Sequence, residues 1–270
     1  MVSQLPPFVV RSDSREERPM EIKTEHVTLD VTDGTSMNAY VARPSAEVPT
    51  RGLIVCQEAF GVNTHIRDIT ERFARQGYFA IAPELFHRTA QNLEVQYDDF
   101  ETARPHIQAL TDPELETDLR AVYGCLRANG LGQNSPISAI GFCMGGRVAF
   151  LAGLSLPINA AVSFYGGGIA PNERNPGLLM RVKELRAPVL LVWGGKDKHV
   201  NVAQARAATD ALRDARKSYV SVEFADADHG FFCDARPSYH AASAVQAWQL
   251  ALAFLDTNAT RRDQARTARA

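Results

Sequence analysis

Apolar and polar positions change rhythm along the chain, and each rhythm predicts an element. His26-Val-Thr-Leu-Asp-Val31 and Met37-Asn-Ala-Tyr-Val41 alternate apolar with polar side chains on either side of Asp33-Gly34. A period of two interrupted by a tight turn predicts an antiparallel hairpin at a sheet edge, with one face in water. After the loop at Pro49, Leu53-Ile-Val-Cys56 is apolar on both faces, which suits a parallel strand covered by helices on both sides. From there strands and helices alternate. Ile66, Ile69 and Phe73 share a helical face that stops near Gly77, and Tyr78-Phe-Ala-Ile-Ala82 reads as the next strand. Leu115, Leu119, Val122 and Leu126 predict a helix capped by Thr111 or Asp112, with Pro113 in its first turn and a stop at Asn129-Gly130. Ile137-Ser-Ala-Ile140 predicts a strand that feeds a helix carrying Met144, Val148 and Leu151. Residues 160–165, 188–193 and 219–224 read as further strands, and Val245, Trp248, Leu252 and Leu255 as the inner face of a last helix. The fold class is therefore α/β: a doubly wound, mostly parallel sheet with right-handed crossovers and an antiparallel N-terminal edge hairpin.

This pattern occupies residues 21–257 as a single domain. Residues 1–20 read as a flexible lead-in. Residues 258–270, with Arg261, Arg262, Arg266 and Arg269, read as a flexible basic tail that is solvated rather than a nucleic-acid arm. The stretch from Arg88 to Leu110 is polar, acidic and longer than a usual connection, and it is expected to cover the site.

Composition narrows the partner. With 270 residues, 45% hydrophobic and 22% charged, the chain can bury a large core without metal or disulfide help. A formal net charge of −2 gives no reason to expect nucleic acid or an acidic membrane surface, so a small-molecule partner, no cofactor and a monomer are expected. Cys56, Cys125, Cys143 and Cys233 form no C-x-x-C pair, which fits free thiols in a reducing compartment. The N-terminal stretch lacks an apolar run of signal-peptide length, and no later run is long enough to span a bilayer; a cytoplasmic location is expected.

The candidate chemistry begins at Gly141-Phe-Cys-Met-Gly-Gly146. A side chain held on a sharp strand-to-helix turn has strained backbone angles and crowded surroundings, so positions two before and two after it must be small; Gly141 and Gly145 are. The turn lifts Cys143 above the sheet and leaves N–H groups of the following helix to bind an oxyanion. A thiol near its usual pKa of about 8.5 is mostly protonated at neutral pH and needs a base. Ligands in open α/β sheets sit beyond the carboxyl ends of the strands, so the partners should follow strand patterns. Asp197, in Gly194-Gly-Lys-Asp197, follows one strand, and His229, in Ala227-Asp-His-Gly230, follows another. Asp226 and Asp228 are rival acids, too near His229 along the chain to reach behind its ring easily. His65, His87, His106, His199 and His240 lack the placement after a strand. In this scheme His229 takes the thiol proton, and Asp197 fixes the imidazole tautomer.

The pattern G-x-C-x-G is similar to the nucleophile elbow of α/β-hydrolases with cysteine in place of serine, and the order nucleophile, acid, histidine matches theirs. More specifically, the stretch from Arg51 to Phe254 resembles the dienelactone hydrolase family through Gln57-Glu-Ala-Phe-Gly-Val-Asn63, Gly141-Phe-Cys-Met-Gly-Gly146, Gly194-Gly-Lys-Asp197 and His229-Gly-Phe-Phe. The resemblance implies an α/β-hydrolase fold, a Cys143–Asp197–His229 triad and an oxyanion hole from the N–H groups of Ala59 and Met144. It also implies that Glu58 contacts the resting thiol and helps deprotonate it once substrate binds. The best-known members hold a substrate carboxylate with an arginine four residues past the histidine, where this chain has Cys233. Arg236 is the nearest replacement, and Arg88 and Arg104 are candidates for a second arginine. The implied activity is hydrolysis of a small ester or lactone through a thioester. A carboxylesterase or thioesterase with the same residues, and a ligand-binding homologue without turnover, are the competing readings.

Overall fold

The computed structural model describes residues 20–172 and 175–259. Its eight-stranded sheet runs in the order β1-β2-β4-β3-β5-β6-β7-β8, for strands β1 Ile22–Asp30, β2 Ser36–Pro44, β3 Arg51–Cys56, β4 Tyr78–Pro83, β5 Ile137–Phe142, β6 Ala161–Phe164, β7 Val189–Gly194 and β8 Tyr219–Phe224. β1 pairs antiparallel with β2, and β2 antiparallel with β4; every other neighbour pair is parallel. The expected edge hairpin is present, with Asp30 opposite Ser36 across the turn.

Period two explains how one sheet serves two cores. On β5, Ile137 and Ala139 face one hydrophobic cluster, while Ile140 and Phe142 face the other. β7 divides in the same way: Val189, Leu191 and Trp193 on one side, Leu190 and Val192 on the other. The helices α3 Asp112–Ala128, α4 Met144–Ser155 and α5 Val202–Asp214 cover the first cluster. The second lies under α1 Thr64–Arg75 and α6 Ala241–Ala259. Local signals set the helix starts. The Asn63 side chain accepts from the Ile66 N–H to start α1, and Thr111 caps α3.

Two helices have no counterpart among the elements read from the apolar pattern. α2, Phe100–Ala109, buries only Ala103 and contains Pro105; α5 buries Ala205, Ala208 and Leu212. Faces with so few large apolar side chains are easily passed over. The same effect shifts the inner face of α6. Ala244, Ala247, Ala251 and Leu255 face the core, whereas Val245, expected inside, is 61% exposed. Small residues let the helix lie close to the strands, and Trp248 packs at its flank, 4.6 Å from Phe73 ring to ring. α6 runs on through Ala259, past the domain end expected at 257. The lead-in, apart from Met20, and the tail beyond Ala259 lie outside the described residues. Among the described residues no helix is long and apolar enough to cross a membrane.

Candidate active site

β5 ends at Phe142, and the chain turns so sharply that Cys143 adopts φ +55°, in the left-handed region that non-glycine residues avoid. The crowding expected there is measurable. A methyl group on Gly141 would fall 1.9 Å from the Gly145 carbonyl oxygen, and one on Gly145 would fall 2.2 Å from that of Cys56. The first turn of α4 is thereby pressed against the end of β3, which brings the Glu58-Ala59 segment beside the elbow. Met144 is the first residue of α4, so its N–H has no intrahelical acceptor.

The loops after β7 and β8 meet over the same strand ends. His229 Nδ1 lies 2.8 Å from Asp197 Oδ2, and both residues are buried. Asp197 is itself fixed: its Oδ1 accepts from the N–H groups of His199 at 2.7 Å and Val200 at 2.8 Å. The rival acids go elsewhere. Asp228 accepts from the backbone N–H of His229, and Asp226 pairs with Lys196 in solvent. Burial disfavours a charged imidazole, but the Cys143 sulfur and the Asp197 carboxylate outweigh it and raise the His229 pKa, which strengthens the ring as an acceptor for the thiol proton. On Asp197, burial alone would raise the pKa; the hydrogen bond and charge of His229, with the two backbone donors, bring it below the ordinary carboxylate value.

Glu58 is 1% exposed, and its Oε1 has two donors at 3.4 Å, the Tyr165 hydroxyl and Arg236 Nη1. Its Oε2 is buried with no hydrogen-bond partner. Arg236 stands close to the histidine loop: a methyl group on Gly230 would fall 2.2 Å from its Nη1. Its guanidinium lies over the rings of Phe60, at 5.6 Å, and Tyr97, at 5.8 Å. Tyr97 belongs to the long stretch after Arg88, in which Leu93, Val95 and Tyr97 pack on Ala59 and Phe60. That stretch therefore walls the site, as its length suggested.

Arg88 does not join this set. Its guanidinium is bonded to Asp118 at 2.7 and 2.9 Å and to Asp33 at 2.6 and 3.0 Å, a placement that corrects the expectation of a substrate-binding arginine. The reason is electrostatic: Asp118 is completely buried on α3, and a buried carboxylate must find a cation or lose its charge. Arg104, on α2, pairs with Glu101 in solvent. We expect Arg88→Ala to lower stability by about 2–3 kcal/mol in urea unfolding, because Asp118 would keep only the His87 contact. Turnover of a carboxylate-bearing ester should be unchanged; a loss confined to anionic substrates would return Arg88 to the site.

Sequence reasoning missed Tyr165 and His199. Tyr165 is fully buried at φ +38°, with its ring centroid 5.0 Å from that of His229 and its hydroxyl on Glu58. It ends a strand pattern, the same signal that identified Asp197 and His229, but a tyrosine there reads equally well as packing. His199 sits 4.9 Å from His229, ring to ring, and follows Asp197 too closely to be separated from that turn by pattern alone.

An open, mostly parallel sheet with an antiparallel N-terminal edge, helices on both faces and a glycine-flanked strand-to-helix elbow defines an α/β-hydrolase. Within that class the chain belongs to the dienelactone hydrolase family, whose model matches residues 37–259. Two curated relatives carry the name "Putative carboxymethylenebutenolidase". One, from Synechocystis sp., is 36% identical over 236 residues, covering 85% of this chain and 95% of that protein. The other, from Escherichia coli K12, is 37% identical over 223 residues, covering 81% of each. A crystal structure described as a "Putative Dienelactone Hydrolase" from Klebsiella pneumoniae superposes with a TM-score of 0.80 at 34% identity, covering 87% of this chain and 99% of that one. The protein is thus an enzyme of the carboxylic ester hydrolase class.

Proposed function

We propose that the enzyme opens a small ester or lactone with Cys143 as nucleophile, through an acyl thioester on its sulfur. One junction carries this reading: Cys143 stands at φ +55° on the elbow, its charge acts on the His229 ring, and His229 Nδ1 lies 2.8 Å from Asp197. The thiol proton passes to His229, and the sulfur attacks the carbonyl carbon. The displaced electron pair collects on the carbonyl oxygen, facing the N–H groups of Ala59 and Met144 as donors. Collapse breaks the carbon–oxygen ester bond; the alkoxide takes the proton from His229 and, in a lactone, stays tethered to the acyl group. Water then gives a proton to His229 and attacks the thioester, and the departing sulfur recovers that proton.

Arg236, flanked by Phe60 and Tyr97, suits a small carboxylate-bearing, planar substrate. Such a carboxylate competes with Glu58 for the guanidinium. Glu58, once released, keeps a buried oxygen without a partner and can take the Cys143 proton and pass it on to His229, so nucleophile activation waits for the substrate and the proton still reaches the alkoxide.

The test is trapping. Mixing the enzyme with an activated aryl ester and quenching in acid should leave an acyl mass on the peptide containing Cys143, removable by neutral hydroxylamine. Undiminished turnover by Cys143→Ala, with no adduct on the wild type, would sink the reading. Arg236→Gln should lower kcat/KM for a carboxylate-bearing ester roughly ten- to a hundredfold, leaving a neutral ester within about twofold. An equal loss on both would assign Arg236 to holding Glu58 rather than substrate.

A further inference from the structure

His65, in the first turn of α1, meets Cys233 and Asp234 from the loop that follows His229. A ring nitrogen of His65, the Cys233 sulfur and an Asp234 carboxylate oxygen all lie within 4.8 Å of one another. Both nitrogens of His65 are buried without a hydrogen-bond partner. Its Nδ1 is 3.9 Å from Asp234 Oδ1, beyond hydrogen-bond range, and the ring edges nearby are those of Phe142 and Phe232. A buried imidazole with neither nitrogen satisfied is rare, because both groups have lost water and gained nothing. Cys233 is completely buried, and its sulfur is 3.2 Å from the Tyr97 hydroxyl, which already accepts from the Asn63 amide at 3.0 Å.

We propose that His65, Cys233 and Asp234 bind one divalent cation of the zinc class, with a fourth position open to solvent. Imidazole nitrogen, thiolate sulfur and carboxylate oxygen are the donors zinc takes, at about 2.0–2.3 Å. Ligand atoms around such an ion stand about 3.3–3.8 Å apart. The exposed Asp234 side chain can rotate towards an ion and leaves an entry path. On binding, the Cys233 S–H bond breaks, a sulfur–metal bond forms and the proton leaves to solvent; nothing is oxidised or reduced. Tyr97, its oxygen already served by Asn63, turns its proton to the thiolate and orients it from behind. The ion would tie the start of α1 to the loop that carries His229 and Arg236. The site shares no residue with Cys143, Asp197 or His229, so it stands or falls apart from the proposed hydrolysis.

The experiment titrates Co²⁺ into Cys143→Ala protein, so that the elbow thiol contributes nothing, and reads thiolate-to-cobalt charge-transfer absorbance. We expect one equivalent of signal, displaced by Zn²⁺, retained in Cys143→Ala/Cys125→Ser and lost in Cys143→Ala/Cys233→Ser. Cys143→Ala/Asp234→Ala, altered only at an exposed position, should bind Co²⁺ at least about tenfold more weakly. It decides the matter even if the Cys233 variant does not fold. Absence of the band in Cys143→Ala, or a band and affinity untouched by Asp234→Ala, would overturn the site.

Discussion

Cys143→Ala is expected to lower kcat/KM by roughly 10⁴- to 10⁶-fold, about 5–8 kcal/mol of transition-state stabilisation, and His229→Ala by a similar factor. Neither group has a substitute. No other cysteine follows β5, and His199, the nearest other imidazole, lies beside the His229 ring with its backbone N–H committed to Asp197. The double variant should be hardly slower than either single one, because a nucleophile without its base and a base without its nucleophile are both idle. If the two losses multiplied instead, Cys143 and His229 would be acting independently. The proposed proton transfer between them would then have no part in catalysis.

Gly145→Ala is expected to destabilise the protein by about 4–5 kcal/mol, or to prevent it from accumulating folded. The added methyl would lie 2.2 Å from the Cys56 carbonyl oxygen and 2.4 Å from that of Gln57. Both are backbone atoms at the end of β3, a central strand, and cannot move aside as a side chain would. Relief requires α4 to lift from the sheet, and that separates the N–H groups of Met144 and Ala59. Gly124→Ala on α3 is the control: its methyl meets nothing within 4 Å, so the change should be neutral or stabilising by up to about 1 kcal/mol. Thermal and urea unfolding of both variants check the pair. A Gly145→Ala protein with the wild-type midpoint would mean that α4 does not press on β3, and the proposed oxyanion hole would lose its basis.

The sequence by itself determined whatever local sterics or two-sided burial dictate. A parallel strand under helices on both faces must be apolar at every position, so β3, β5 and β7 are visible as short unbroken runs. An elbow residue at positive φ must have small neighbours, so Gly141 and Gly145 marked Cys143 before any coordinates did. Because ligands meet open sheets at the carboxyl ends of the strands, Asp197 and His229 could be found from their places after strand patterns. Tertiary structure decided the pairings between distant segments. Arg88 and Arg236 look alike in the sequence. One is claimed by Asp118, buried on α3 where its charge needs a partner; the other reaches Glu58, 178 positions away, because β3 and β5 are neighbours and the histidine loop folds over both. The alanine face of α6 belongs to the same category. How close a helix may approach a sheet depends on what the sheet presents, and a run of alanines carries no periodic contrast from which to read it.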